Sequence, residues 1–414
     1  MTNTSQDTAE MTITEVAYPG KGVARHNGCV VFVSKVLTGE RVKVQFIHTA
    51  RNFAEARLLE VLGPSPHRIT PVCQYASACQ GCCYQHVDYA EELRLKQLQF
   101  ASLLQRLGRT DPSRVLLPPT PSPAPLGYRN KVGFHVAGSG PDRVIGYFSA
   151  DNETVMDIEA CPLARKEIND RLAGLRADAT YINALEDRSS INMRFTDKDG
   201  VVCWTTTLPV TERVNSEKPE PWLTEQTSVG PIRVPRDSFF QVNPRVADML
   251  VHASCDIIRQ IAPRTVIDLY CGVGIFAFAA ARVGVPIVKG IDVDPHGILA
   301  ARTNAETLGL KNVEFSTLSA VKAIKQTLRS IDPASTTLLI DPPRRGLEKT
   351  VVQAITAFKP ANVIYISCAP DTLSRDIAFL TAGGYELKST RIFDMFPRTP
   401  YFESLSWLTP VGKA

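Results

Sequence analysis

The chain has 414 residues, of which 44% are hydrophobic and 21% charged, and its formal net charge is +4. This composition excludes a wholly disordered chain, and the length suits two to three domains of about 150 residues each. No apolar run approaches the roughly 18–20 residues of a membrane span, and residues 1–10 lack the basic start and apolar core of a signal peptide. We therefore expect a cytoplasmic protein without a membrane segment.

Residues 11–62 predict a small all-β unit. Short β-branched runs at Val30–Val33 and Arg41–Phe46 are separated by turn pairs such as Pro19-Gly20. Several short strands in so short a segment are typical of an OB-like barrel, a common platform for nucleic acids. We place this barrel at residues 1–66. The alternative is a solvated barrel surface that binds nothing.

Three kinds of segment follow the barrel. Residues 63–87 predict a loop that carries cysteines, and residues 88–108 predict an amphipathic helix closed by Gly108. The proline-rich residues 118–125 predict a stiff extended linker. Residues 128–235 predict a strand-rich unit, with strands at Lys131–Val136, Val144–Phe148, Ser190–Phe195 and Val201–Thr206.

From residue 236 to the end, apolar strands alternate with helical patterns. This alternation is the signature of a doubly wound, mostly parallel α/β sheet. The predicted strands are Thr265–Leu269, Ile287–Ile291, Thr337–Ile340 and Val363–Ser367.

The loop after the first of these strands predicts a cofactor site. It contains Gly272 and Gly274, and Asp292 ends the next strand, where an acid can accept hydrogen bonds from ribose hydroxyls. Phe276 and Ala277 stand where a dinucleotide motif has its third glycine. This argues against NAD and favours a ligand without a pyrophosphate, of which S-adenosylmethionine is the commonest. The alternative is a tight turn with no ligand.

Three further side chains are expected at the same edge of the sheet. Asp341 and Cys368 each follow a strand, and carboxyl ends of parallel strands form the ligand crevice. A Cys368 thiolate there can attack a substrate. Glu403 lies in an apolar stretch, where desolvation raises a carboxyl pKa toward the range of a general base. The alternatives are a plain turn, an inert buried cysteine and a surface glutamate.

The spacing of Cys73, Cys79 and Cys82 indicates a metal site, with Cys161, which precedes a proline, as a distant fourth ligand. Four thiolates suit either zinc or an iron–sulfur cluster, and the remote Cys-Pro is more typical of clusters. The remaining cysteines, which have no such spacing, are expected to be core thiols: Cys29, Cys83, Cys203, Cys255 and Cys271.

These motifs together resemble the RNA 5-methyluridine methyltransferases, in particular the type with a TRAM domain and an iron–sulfur cluster. The resemblance runs from about Thr12 to Leu408. It is carried by the following motifs: Cys73-x5-Cys79-Gln80-Gly81-Cys82, Phe239-Phe240-Gln241-Val242-Asn243, Asp268-Leu269-Tyr270-Cys271-Gly272, Asp341-Pro342-Pro343-Arg344, Ser367-Cys368-x-Pro370 and Phe396-Pro397-x-Thr399.

The resemblance implies roles for individual residues. Cys368 would be the nucleophile and Glu403 the base. The contacts to S-adenosylmethionine would come from Gln241, Tyr270, Asp292 and Asp341. The ligands of a 4Fe-4S cluster would be Cys73, Cys79, Cys82 and Cys161.

The resemblance also implies a division of the chain. A central iron–sulfur domain would comprise residues 67–87 and 126–235, and a Rossmann-like methyltransferase domain would comprise residues 88–125 and 236–414. The sequence departs from the family at three positions: Tyr401 stands where His is frequent, Ile275 where Asn is frequent, and Asp292 where Glu is frequent.

The chemistry of the predicted reaction explains these residue types. Carbon 5 of uracil is a poor nucleophile, and addition of a thiolate to carbon 6 activates it. A base must then remove the proton at carbon 5 so that the thiolate can leave. The uridine must leave its stack, so we expect a single-stranded or looped RNA. We further expect ribosomal RNA in preference to transfer RNA, and an enzyme that acts as a monomer.

Two other functions stay open from the sequence. An amino-group methyltransferase is one, because Asp341-Pro342-Pro343-Arg344 loosely resembles the Asp-Pro-Pro-Tyr motif of that class, which needs no thiol. A non-catalytic iron–sulfur protein that binds RNA is the other, and it would not bind the cofactor.

Overall fold

The computed structural model describes residues 7–149, 151–207, 222–327 and 331–412. Four β-sheets and ten α-helices lie within these ranges. None of the helices in this part of the chain combines the length and the apolar composition that crossing a membrane requires.

The N-terminal unit is a six-stranded sheet whose inward side chains alternate with exposed ones. Its core includes Val31, Val33, Val42 and Val44, which are inaccessible to solvent. The strands are β1 (Thr8–Thr12), β2 (Glu15–Ala17), β3 (Lys21–His26), β4 (Cys29–Ser34), β5 (Arg41–Thr49) and β6 (Phe53–Gly63), in the spatial order β1-β5-β6-β4-β3-β2. The predicted all-β unit is therefore present.

The predicted helix is α1 (Tyr89–Arg106), and the cysteine-bearing loop before it has no regular structure. Asp88 caps the helix by accepting a hydrogen bond from the backbone N–H of Glu91. A short helix α2 (Pro112–Val115) follows. Phe100 of α1 lies against Phe402, with 5.7 Å between ring centroids, so α1 contacts the C-terminal part of the chain.

The central unit is a five-stranded antiparallel sheet. Its strands are β7 (Lys131–Ala137), β8 (Val144–Phe148), β9 (Val155–Asp157), β10 (Ser190–Thr196) and β11 (Gly200–Thr206), in the order β11-β10-β7-β8-β9. Two helices that were not predicted, α3 (Lys166–Ala177) and α4 (Ala179–Ala184), accompany this sheet. A hairpin of β12 (Trp222–Thr227) and β13 (Gly230–Pro235) follows, and residues 208–221 of the predicted strand-rich unit lie outside the described residues.

The C-terminal unit is a seven-stranded sheet in the order β16-β15-β14-β17-β18-β20-β19. The strands are β14 (Thr265–Leu269), β15 (Ile287–Asp292), β16 (Val313–Thr317), β17 (Thr336–Ile340), β18 (Asn362–Ser367), β19 (Tyr385–Phe393) and β20 (Glu403–Pro410). The first five are parallel, and β20 runs antiparallel to both of its neighbours, β18 and β19. The strand order reverses beside β14, as in the predicted doubly wound fold.

Six helices connect these strands and cover the sheet. They are α5 (Pro244–Ile261), α6 (Ile275–Arg282), α7 (Pro295–Thr307), α8 (Ala320–Thr327), α9 (Lys349–Phe358) and α10 (Pro370–Ala382). All four predicted strands are present. The sequence analysis missed β16, β19 and β20.

The proline-rich segment differs from the prediction, because it is not a free linker. The backbone N–H of Leu117 donates to Thr390 O at 2.8 Å, and that of Thr120 donates to Ile392 O at 2.7 Å. The segment therefore extends the sheet edge at β19. The boundaries of the three predicted domains stay a prediction.

Candidate active site at the carboxyl edge of the parallel sheet

A cavity lies at the carboxyl ends of β14 and β17, where the strand order reverses. Three of the four predicted cofactor residues line it, namely Gln241, Tyr270 and Asp341. Most of the remaining wall is apolar and includes Phe240 and Phe276. The side-chain Oε1 of Gln241 is buried and has no hydrogen-bond partner within the described residues. A buried acceptor without a partner favours a ligand that donates a hydrogen bond to it.

The loop after β14 is tightly wound around this cavity. Tyr270, Gly272 and Gly274 all have left-handed backbone, with φ of 64°, 52° and 93°. A Cβ atom at Gly274 would lie 2.8 Å from the ring of Phe315, so only glycine fits there. A left-handed tyrosine is strained by about 1–3 kcal/mol, and such strain is concentrated at ligand sites.

Asp292 holds this loop in place. Its Oδ2 accepts the backbone N–H of Gly272 at 2.9 Å, and its Oδ1 accepts that of Asp294 at 2.9 Å. Each carboxylate oxygen can accept a second hydrogen bond. Its predicted contact with a ribose stays a prediction, and its observed partners are the two backbone N–H groups.

The pairing of β18 with β20 brings Cys368 and Glu403 together. Ser367 at the end of β18 is opposite Ser404 of β20 in the antiparallel register. One residue further on, Cys368 and Glu403 are therefore neighbours. Glu403 is 3% exposed, and its Oε2 has no hydrogen-bond partner within the described residues.

Asp341 joins the pair from β17, the strand beside β18. It follows Ile340, which is opposite Tyr365 of β18 in the parallel register. The charge of Asp341 acts on both Cys368 and Glu403, which shows that the three side chains share one crevice. The structure thus brings together three residues that lie far apart in the sequence.

Burial and mutual repulsion favour the protonated forms of these groups. Burial, with smaller contributions from Glu403 and Asp341, raises the pKa of the Cys368 thiol to about 12. Burial raises the pKa of Glu403 well above its usual value, and Asp341 adds to this. Burial and the charge of Asp292 raise the pKa of Asp341 to about 7. A cation bound in the crevice would favour the charged forms.

Arg344 is a crevice residue to which the sequence analysis gave no role. Its guanidinium lies 4.6 Å from the ring centroid of Tyr401. Its positive charge and a hydrogen bond partly oppose the rise in the pKa of Cys368. The Asp341-Pro342-Pro343-Arg344 motif could have predicted this position, because an arginine three residues after a crevice carboxylate lies near the same edge of the sheet.

Tyr18 is the second missed residue. It lies in the turn between β2 and β3 of the N-terminal sheet, and burial raises the pKa of its phenol. The charges of Asp371 and Cys368 raise it further, so this turn reaches the crevice. No sequence signal predicted this, because the approach depends on how the N-terminal sheet lies against the rest of the chain.

The four predicted metal ligands are near one another but not arranged as a metal site. Cys73, Cys79, Cys82 and Cys161 are half-buried free thiols. Burial raises the pKa of Cys82 to about 12, and the charges of the other three add to the rise. In the described ranges, however, no three His, Cys, Asp or Glu side chains form a group that could hold a metal ion. Four cysteine thiolates are chemically suited to hold a metal ion or an iron–sulfur cluster. The present positions of their sulfur atoms are not suited to hold either.

The cysteines expected in the core fall into two groups. Cys255 and Cys271 are buried, as expected. The other three are only half-buried: Cys29, Cys83 and Cys203.

Sequence profiles of two known families match this chain. The profile described as tRNA (Uracil-5-)-methyltransferase matches residues 229–411, which include every crevice residue apart from Tyr18. The profile of the TRAM domain matches residues 6–59, which form most of the N-terminal sheet.

Full-length relatives and one solved structure are also similar to the chain. An uncharacterized RNA methyltransferase of Synechocystis sp. is 30% identical and covers 95% of this chain and 94% of its own. An uncharacterized RNA methyltransferase of Thermosynechococcus vestitus is 28% identical, and the match covers 97% of this chain and 98% of that relative. The crystal structure of the Pyrococcus abyssi tRNA (uracil-54, C5)-methyltransferase with S-adenosyl-L-homocysteine is 23% identical, has a TM-score of 0.72, and covers 96% of this chain and 100% of its own. That structure has the same fold.

Proposed function

Because the chain belongs to the tRNA (uracil-5-)-methyltransferase family, we propose that it methylates carbon 5 of a uridine in RNA, with S-adenosylmethionine as methyl donor. The observation that carries this proposal is the convergence of Cys368, Glu403 and Asp341 beside a cavity lined by Gln241 and Tyr270. The substrate would be ribosomal RNA in preference to transfer RNA. The target uridine would lie in a single-stranded or looped segment, since a stacked base cannot enter the crevice.

The proposed reaction uses Cys368 as the nucleophile. Its thiol releases its proton to solvent, and the thiolate sulfur bonds to carbon 6 of the uracil, so the electron pair of the carbon 5–carbon 6 double bond moves into an enolate and makes carbon 5 nucleophilic. S-adenosylmethionine would supply an activated methyl group on a positively charged sulfonium. Carbon 5 bonds to this methyl group, the sulfur–methyl bond breaks, and S-adenosylhomocysteine leaves with its electron pair. Glu403 then removes the proton from carbon 5, the double bond re-forms, and the thiolate of Cys368 leaves.

The charges around Cys368 set the conditions for this reaction. In the crevice without a ligand, burial keeps the thiol of Cys368 protonated, since its pKa is about 12. Arg344 is the cation that the chain itself provides, and its charge and hydrogen bond lower the pKa of the thiol. We propose that the positive charge of the bound cofactor acts in the same direction.

Replacing Cys368 by alanine tests the proposal. With unmodified transcripts of ribosomal and transfer RNA as methyl acceptors, Cys368→Ala should transfer no methyl group, whereas wild type should. With 5-fluorouridine RNA, wild type should form a covalent adduct that survives denaturant. The fluorine at carbon 5 cannot be removed by a base in the way a proton is, so the thiolate cannot leave. Cys203→Ala is the matched control, since Cys203 is a half-buried thiol on β11, and it should behave like wild type.

Two results of this experiment would count against the proposal. Methyl transfer by Cys368→Ala would favour an amino-group methyltransferase, which needs no thiol. An adduct still forming in Cys368→Ala would show that another residue is the nucleophile. Mass spectrometry of the methylated transcript identifies the uridine and decides between ribosomal and transfer RNA.

We also propose that Cys73, Cys79, Cys82 and Cys161 hold a 4Fe-4S cluster. The support is the number and type of donors and their electrostatic coupling, and binding would require the sulfur atoms to adopt a new arrangement. Methyl transfer needs no redox step, so the cluster would have a structural or RNA-orienting role. Because the ten cysteines form no disulfides, we propose that the enzyme acts in the reducing cytoplasm. We also propose that it acts as a monomer.

Metal analysis of anaerobically purified protein tests the cluster. A 4Fe-4S cluster gives about four iron and four sulfide per chain and a brown colour. Cys79→Ser should lose both, whereas Cys29→Ser should keep them. One zinc per chain with no sulfide would show that these cysteines form a zinc site and not an iron–sulfur cluster.

A further inference from the structure

A second cleft lies beside the cofactor cavity. It is formed where β7 begins, β10 ends and α5 begins, with β12 along one side. The two hollows share wall residues, including Gln226 and Thr227, so they lie next to each other. The side chains that distinguish the second cleft include Asn130, Arg165, Phe195, Arg245 and Asp197.

Asn130 is the buried residue that points to a ligand in this cleft. It is 2% exposed, and neither its Oδ1 nor its Nδ2 has a hydrogen-bond partner within the described residues. Its backbone is fully used, because its N–H donates to Val242 O at 3.0 Å and its carbonyl accepts the N–H of Phe195 at 2.8 Å. Leaving an amide both buried and unpaired is unfavourable. An outside group with an adjacent donor and acceptor would satisfy both atoms.

Phe195 and Arg165 provide a flat surface in the same cleft. The guanidinium of Arg165 lies 4.2 Å from the ring centroid of Phe195, and Glu167 holds it in place through an ion pair of 3.1 Å. Aromatic rings and guanidinium planes are the surfaces on which proteins stack unpaired RNA bases.

The charges of the cleft favour a neutral planar ligand over a phosphate. Asp197 and Asp248 both line it, and Asp248 has used one oxygen to accept the N–H of Ser228 at 2.8 Å. Glu225 also lines it, although Arg194 neutralises this carboxylate at 2.7 Å. Two arginines also line the cleft, but Arg165 is paired with Glu167, and Arg245 is outnumbered by Asp197 and Asp248, so a phosphate would meet more negative than positive charge.

We propose that this cleft binds an unstacked nucleobase of the RNA substrate, next to the target uridine. Asn130 contacts the edge of the base through one donated and one accepted hydrogen bond, and the Arg165–Phe195 pair contacts its face. The inference rests on the proposed function in one respect, that RNA is the substrate. Because the backbone N–H of Asn130 bonds to Val242, the residue after Gln241, the same segment positions both ligands.

Two variants and a matched control test this site. With unmodified ribosomal and transfer RNA transcripts, Asn130→Ala should raise the KM for RNA about tenfold, because a buried double hydrogen bond is lost. Phe195→Leu should raise it about five- to tenfold through lost stacking. In both variants kcat should stay within about twofold of wild type and the Kd of S-adenosylmethionine should not change. Asn192→Ala is the control, because Asn192 lies on β10 but bonds to Thr206 and does not line the cleft.

Ultraviolet cross-linking to the same transcripts locates the base independently of catalysis. Wild type should give a cross-linked peptide containing Phe195, and Phe195→Leu should not. If wild type methylates RNA but neither variant changes the KM, or if RNA cross-links form only outside residues 190–206, the proposal is wrong. A weaker Kd for S-adenosylmethionine with an unchanged KM for RNA would assign the cleft to the cofactor and overturn it. If wild type methylated nothing but cross-linked at Phe195, the proposed function would fail while the nucleobase site stood.

Discussion

Two regions bury ionisable groups in opposite ways. Where α1 meets the C-terminal part of the chain, the buried Lys96 lies between two carboxylates that neutralise it. In the crevice between β17, β18 and β20, buried acids and a thiol lie together with little compensation. The comparison teaches that burial of charge by itself does not identify an active site, whereas burial without partners does.

The paired region centres on Lys96, which is inaccessible to solvent. Its Nζ donates to Glu92 Oε1 at 2.8 Å and to Asp394 Oδ1 at 2.7 Å. Burial lowers the pKa of Lys96, but the charges of Asp394 and Glu92 overcome this, so the pKa lies above its usual value. This region holds the helix to the C-terminal part of the chain and needs no ligand.

The crevice lacks such internal compensation. Glu403 has an oxygen without a hydrogen-bond partner in the part of the chain that the structure describes, and the pKa values of Cys368, Glu403 and Asp341 are all raised, chiefly by burial. Arg344 is the cation that acts on both Cys368 and Glu403, and it is exposed to solvent. The fold therefore keeps an unfavourable charge environment there, which the cationic cofactor would relieve.

Breaking the paired region should have the largest effect on stability. Lys96→Met keeps the length of the side chain but leaves two carboxylates buried without their cation, which should cost about 3–5 kcal/mol of unfolding free energy. Urea denaturation measures this. Lys21→Met is the control, because the side chains of the Lys21–Glu55 pair at 2.5 Å are 42% and 36% exposed and reach solvent, and it should cost at most about 1 kcal/mol. A loss below about 1 kcal/mol for Lys96→Met would show that its partners are rehydrated, and the contrast would disappear.

Changing the crevice should have the opposite signature. Glu403→Gln removes the proposed base and should lower turnover about 10²–10⁴-fold while stability stays equal or rises, since a buried carboxyl becomes a neutral amide. Methyl transfer does not need the base, so a denaturant-resistant adduct should accumulate on ordinary uridine RNA with S-adenosylmethionine present. Denaturing gels detect it.

A matched variant and one result decide the role of Glu403. Glu386→Gln replaces an exposed glutamate on β19 and should turn over like wild type. Near-normal turnover of Glu403→Gln without any adduct would exclude Glu403 as the base. Tyr401, which stacks under Arg344, would then be the next candidate.

The predicted effect that is smallest at each step of the measurement is a pH dependence of stability. The pKa of Asp341 is about 7 in the folded chain, against an ordinary value of 3.8, so its protonated form is favoured by folding. Its contribution to stability is complete below about pH 4, is lost as the pH rises from about 4 to 7, by at most about 1.4 kcal/mol per pH unit, and changes little above that.

The difference between wild type and Asp341→Asn isolates this contribution. Urea denaturation at pH 5, 6 and 7 without cofactor should show wild type losing stability relative to the variant as the pH rises. Saturating S-adenosylmethionine should reduce the trend, because a nearby positive charge lowers the carboxyl pKa. Parallel pH profiles would mean that Asp341 is solvated like a surface acid.

The sequence predicted those elements whose signal is local. Three strands that end at the site were predicted correctly: the one that precedes the cofactor loop, the one that precedes Asp341 and the one that precedes Cys368. Each is an apolar run of the length that a buried parallel strand needs. β20 was missed because it mixes Ser404 and Ser406 with apolar residues, a pattern that is not typical of a buried strand. These serines are buried only because β20 pairs with neighbouring strands in the fold. Asp341 and Cys368 could be predicted because each follows a strand at one edge, whereas Glu403 was named from its apolar surroundings and the family resemblance.

What the sequence could not predict depends on contacts between distant segments. Prolines 118–125 looked like a linker because proline cannot donate to a sheet, yet Leu117 and Thr120 supply the two donors that bind it to β19. Asn130 belongs to none of the motifs identified in the sequence. That its buried side-chain amide lacks hydrogen-bond partners among the residues that the structure describes can be seen only in the folded chain. Tyr18 reaches the crevice from the N-terminal sheet by the same kind of long-range approach.

The ion pair between α1 and the C-terminal part of the chain has a consequence for synthesis on the ribosome. Asp394 is made 298 residues after Lys96. At a bacterial elongation rate of about 5–20 residues per second, the nascent helix waits roughly 15–60 s for its partner. Both the N-terminal sheet and the central sheet have emerged by then, so they can fold while α1 is still undocked. Docking of α1 is therefore a late event, and β20, which packs in the same part of the chain, leaves the ribosome later still.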